Sequence, residues 1–146
     1  MALSAFDVHD RVLQLTTLTE TLTGRLSAEA AAFEARRSLG EPADLEETAR
    51  LANLYRHECA RVKLDPGLIA GAEPHARRRL AEVTRDFEAV LSRHAHALQA
   101  AKTLTEGLVR AVAQEVAAAR PPAAGYGASG HAATGDARAV TLNQRA

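Results

Sequence analysis

The sequence predicts an all-α protein: an elongated antiparallel helical hairpin or three-helix bundle, with one very long C-terminal helix and a disordered C-terminal tail. Three observations lead there. Apolar residues recur at helical spacing through three long segments. Gly and Pro gather at two internal points, "RSLGEP" and "LDPGLIAGAEP". After Arg120 the composition turns abruptly to Pro, Ala and Gly. Residues 1–120 are expected to form the bundle, with helices at about 5–39, 44–63 and 74–118, and residues 121–146 a flexible tail.

The first helix is expected to start at "SAFD", with Ser4 as cap and Asp7 near the positive end of the helix dipole. Val8, Val12, Leu15, Leu18, Leu22, Leu26, Ala30 and Phe33 then follow a period of 3.6. The stretch "LTTLTETLTG" is rich in β-branched Thr, which favours strands. Length decides for helix, because a strand does not keep helical phase over so long a segment. Gly40 and Pro42 supply a stop. In the second helix Asp44 is the expected cap, and Leu45, Ala49, Ala52, Tyr55, Cys59 and Val62 share one side. Pro66, Gly67, Gly71 and Pro74 then break the chain at a corner, where Leu68 and Ile69 are expected to plug one end of the bundle. The third helix opens with Pro74 in its first turn, where the missing amide hydrogen costs little. It runs to about Ala118, roughly 65 Å at 1.5 Å per residue. Leu80, Thr84, Phe87, Leu91, His94, Leu98, Ala101, Thr105, Leu108 and Val112 make three- and four-residue steps along it, close to a coiled-coil seam. Such a stripe needs a cover: the other helices, a second copy, or another protein. The third helix has a basic excess and the second an acidic one, which predicts that the two pack side by side. No packed structure is expected from Pro121 to Ala139.

Composition narrows the function. With 18 Lys and Arg against 18 Asp and Glu, no net field draws the chain to nucleic acid or anionic lipid. The amino terminus "MALSAFDVHD" lacks a basic region leading into an apolar one, and no apolar run approaches the length of a membrane span. The expectation is a cytoplasmic protein without membrane insertion. Cys59 is the single cysteine, which excludes an internal disulfide and is read as a small buried apolar residue.

Catalytic patterns are weak. "RHAHALQAAK" shares the first half of the A-H-x-L-K-G pattern of histidine phosphotransfer domains at Ala95, His96, Ala97 and Leu98. Gln99 then stands where Lys would hold a phosphoryl group, and Ala100 where Gly would permit close approach. His94 lies on the seam and His96 about 200° away, so the pair cannot chelate one metal from a regular helix. The expectation is a packed His94, a solvated His96, no catalytic residue, no cofactor and no metal. Arg77, Arg78 and Arg79 crowd the start of the third helix, the wrong end of the dipole for cations. Arg78 is expected to pair with Glu82, and the cluster reads either as a solvated helix start or as a dock for an acidic partner surface.

The segments "DLEETARLANLYRHE" and "TLTEGLVRAVAQEVAAAR", with "GYGASG" and the ending "VTLNQRA", together resemble the FlgN-type flagellar export chaperones. The resemblance covers most of the chain from Val8 onward. It implies a cytoplasmic chaperone that binds the helical termini of hook-associated proteins, of the FlgK and FlgL type, and keeps them unassembled for the flagellar type III export gate. It also implies that the C-terminal region carries client binding, from Leu98 onward, and that Tyr126 is associated with the gate. The sequence agrees, since helix-in-groove binding needs apolar anchors one turn apart and Leu104, Leu108, Val112 and Val116 supply them. Two readings stay open for these residues, client surface or bundle core. Tyr126 is a docking aromatic or part of a linker, and Val140 with Leu142 a short docking motif or a passive end. A coiled-coil scaffold or assembly regulator that forms a homodimer and handles no client is the alternative.

Overall fold

A computed structural model describes residues 2–120. All regular structure there is helical: α1 (Val8–Glu34), α2 (Pro42–Leu64), the short α3 (Gly67–Ala70) and α4 (Pro74–Ala119). The expected tail lies outside the described residues. The chain divides into two compact units, one ending at Thr105 and one beginning at Glu106, within α4.

In the first unit α2 returns antiparallel to α1, since Arg11 meets Glu58 and Arg25 meets Thr48. The α4 segment then runs parallel to α1, with Arg79 on Glu20 and His94 on Glu29. The result is an up-down-up three-helix bundle. Its core has two parts. Leu18, Leu22, Leu26 and Phe87 cluster with Leu51, Leu54, Tyr55 and Val90 around them. Val12, Ala72 and Ala76 form a second cluster, closed by Val8, Ile69 and Leu80. Ile69 therefore does plug the end of the bundle, from within α3.

The stripe expected on α1 is the one buried: Val12, Leu15, Leu18, Leu22, Leu26 and Ala30. Two of its threonines are buried as well, and each hydroxyl donates to the carbonyl four residues back, Thr16 to Val12 at 2.8 Å and Thr19 to Leu15 at 2.7 Å. That bond removes the cost of a buried hydroxyl and lets Thr stand in the interior.

Helix ends differ from expectation. Asp7, not Ser4, caps α1, its carboxylate accepting the Asp10 amide at 2.8 Å. Ser4 instead offers its carbonyl to Gln14. At the other end α1 stops at Glu34, well before Gly40. Arg36 takes a left-handed conformation (φ 53°), its amide donating to Phe33 and that of Arg37 to Ala32. This is the Schellman arrangement, with Arg in the position that Gly usually fills. Glu41 precedes α2 without a side-chain cap, Pro42 opens the helix, and Asp44 lies in its first turn.

On α2 the inward residues are Thr48, Leu51, Leu54, Tyr55 and Glu58, while Ala49 and Ala52 face outward. Cys59 is half-buried, not buried. On α4 the inner positions are Ala76, Leu80, Val83, Phe87, Val90, His94, Ala97 and Ala101. These keep strict four- and three-residue steps, one residue before the expected seam at three points, with Val83, Val90 and Ala97 in place of Thr84, Leu91 and Leu98, so Leu91 and Leu98 sit outside. The alanines among them, Ala76, Ala97 and Ala101, allow close helix approach. Cross-helix ion pairs among the described residues join α1 to α4 and α1 to α2; α2 and α4 do lie side by side as expected, through apolar contact, Tyr55 on Phe87 with ring centroids 4.8 Å apart. The partner of Glu82 is Arg79, not Arg78.

Candidate functional site

Two surfaces carry the residues expected to bind. The first belongs to the unit that ends at Thr105. There α1 terminates beside α4, and the turn after Glu34 leaves a groove of about 960 Å³. Its more buried lining residues, Phe33, Ala97 and Ala101, are apolar and form a floor continued by the half-exposed Leu104, while the exposed Arg36 and Arg37 line it together with Gln99, Thr103 and Thr105. Phe33 is fixed by an edge-on contact with His94, ring centroids 5.8 Å apart. His94 is half-buried and in turn meets Glu29 at 3.0 Å through Nε2. His96 is exposed and lines the same groove, with Nδ1 2.8 Å from the Ser92 carbonyl. The two histidines thus stand as the sequence implied, one packed and one solvated.

Glu34, the one carboxylate lining that groove, is engaged by Arg93, whose Nε donates at 2.9 Å. That hydrogen bond, with the guanidinium charge behind it, holds the Glu34 carboxyl below its ordinary value. Among the described residues of the expected binding set, Leu104 alone lines the groove; Leu98 is exposed on α4 without lining it.

The second surface belongs to the unit that begins at Glu106. Leu108, Val112 and Val116 follow at one-turn intervals, and Val109 lies beside them. Leu108, Val109 and Val116 are each 63% exposed and Val112 54%. Core burial is therefore not the state of these four residues. Tyr126, Val140 and Leu142 lie outside the described residues.

The sequence did not reveal a buried carboxylate. Glu58 of α2 is 0% exposed. It accepts the Leu3 amide at 3.0 Å, Arg11 at 2.9 Å and Arg61 at 3.0 Å. Burial alone would raise its pKa, but the Leu3 amide and the Arg61 and Arg11 guanidiniums outweigh burial and hold it below 4.5. This cluster fastens the N-terminal segment, α1 and α2 together. Next to it, a cavity of about 220 Å³ lies between Leu15, Tyr55, Cys59, Ile69 and Leu80. Burial, and then Cys59 beside it, push the Tyr55 phenol well above its usual range. Among the described residues no cluster of His, Cys, Asp and Glu could hold a metal ion. No described helix is long and apolar enough to cross a membrane.

The fold and these surfaces define an all-α protein that leaves apolar helix surface uncovered. No protein-family profile matches the chain, and no solved structure does. The chain is 48% identical to the flagellar basal-body protein FlbY of Caulobacter vibrioides over 154 aligned positions, spanning 100% of both proteins. It belongs to that family, a flagellum-associated one.

Proposed function

We propose that the protein serves flagellar assembly as a non-enzymatic, cytoplasmic helical chaperone that binds helical segments of flagellar subunits and keeps them unassembled before export. The observation that carries the proposal is the uncovered stripe of Leu108, Val109, Val112 and Val116. Burying each such side chain against a partner helix is worth about 1–2 kcal/mol, and nothing in the second unit's described residues covers them. Their one-turn spacing suits an amphipathic helix laid alongside. Membership in the family of a flagellar basal-body protein supports the setting. The helical termini of hook-associated proteins, which the FlgN-type resemblance implies, are the first clients to test, with the export gate as the second partner.

The test is co-purification of the full-length chain with hook-associated proteins, beside a Leu108→Gln/Val112→Gln variant. Both positions are exposed and Gln is a good helix former, so the variant should keep its helix content. Loss of capture is expected. Equal capture by the variant sinks the client reading, and a stable dimer that the substitutions dissociate would replace it with the homodimeric scaffold.

A further inference from the structure

We propose that the groove where α1 ends is a second, electrostatically selective docking site for an amphipathic helical segment that carries carboxylates beside its apolar residues. The groove lies wholly in the first unit, and the inference stands on its own residues. The floor of Phe33, Ala97, Ala101 and Leu104 can take apolar side chains spaced one turn apart. Above it the rim charge is unbalanced. Arg36 and Arg37 are exposed, and none of the ion pairs among the described residues uses either. The carboxylate of Glu34 is already held by Arg93, so it cannot balance them. Two free guanidiniums over an apolar floor fit acidic groups on a partner and disfavour basic ones.

The backbone supplies a separate observation. Arg36 sits at φ 53°, a conformation Gly adopts freely and a residue with a Cβ does not. Its side chain is exposed. The Schellman hydrogen bonds that end α1 hold this conformation, and it sets the exposed, unpaired Arg36 side chain beside the groove.

Fluorescence anisotropy tests this with the full-length chain. The probe is a labelled synthetic helical peptide of about fifteen residues, with leucines at i, i+3, i+4 and i+7 and two glutamates beside them. A control peptide carries Gln for Glu. The protein should bind the Glu peptide about tenfold tighter than the control at low salt, and Arg36→Gln/Arg37→Gln should bring the two level. Arg36→Gly, which relieves the turn, should melt at a higher temperature and yet bind the Glu peptide about fivefold more weakly. A residue with a purely structural role would not show those opposite movements. Absence of binding, equal affinity for both peptides, or unchanged affinity in both arginine variants would overturn the proposal. Leu108→Gln/Val112→Gln should bind the probe normally; loss there, with the arginine variants unaffected, would move the site to the other surface and overturn it equally. Failure to capture a hook-associated protein would leave these results standing.

Discussion

At the scale of single residues, the buried threonines and the buried glutamate are tolerated because each has its partners close by. Glu58 is the extreme case, a fully buried carboxylate with an amide and two guanidiniums on it. Glu58→Ala should cost about 3 kcal/mol in chemical denaturation, because Arg11, 11% exposed, would then lose its counter-charge. The pH dependence has a definite sign. The folded carboxyl is held below its ordinary value of 4.5, so its contribution is fully present above that value and is lost as pH falls through the folded value. Glu58→Gln should remove this residue's part of the acid-side loss, visible as a flatter stability profile below pH 4.5. Nothing in "YRHECARV" announces such a group. A Glu on a helix is ordinarily solvated, and the Leu3 and Arg11 that bury this one are remote in sequence.

At the scale of elements, α1 was the most legible because its stripe is made of large apolar residues in one phase. Leu22 is 0% exposed within it. Leu22→Ala should therefore destabilise by about 3 kcal/mol, read from the denaturant midpoint, since the two neighbouring helices, α2 and α4, cannot both close on the gap. The phase of α4 was harder to read. Leu91 and Leu98 outrank Val83, Val90 and Ala97 in apolarity, yet the smaller residues are inside. Hydrophobicity ranks what burial would gain, whereas the closeness of α1 decides which side chains fit. The end of α1 was missed for a different reason: the turn uses Arg where sequence patterns look for Gly, so Gly40 drew the boundary too late. The groove was hidden with it. Its arginines became visible as a site only once the early end of α1 put them beside Ala97 and Leu104.

At the scale of the molecule, the two units should differ in how their helices are held. Amides of α1 between Val12 and Ala30 lie under the shared core and should exchange hydrogen only through global unfolding. Amides from Leu108 to Ala119 belong to the end of α4, where every side chain is exposed, and should exchange through local opening, orders of magnitude faster. Mass-spectrometric hydrogen exchange would check this, and uniform protection along α4 would contradict it. The up-down-up order of the first unit also bears on synthesis. The core partner of Leu18, Leu22 and Leu26 on the last helix is Phe87, which is translated only after all of α2 and α3. At typical elongation rates the nascent α1 waits on the order of several seconds before that ring can reach it. Thr16 and Thr19, which the finished core accepts because their hydroxyls turn back on their own helix, dilute the sticky face of α1 over that interval, when it has nothing of its own to close against.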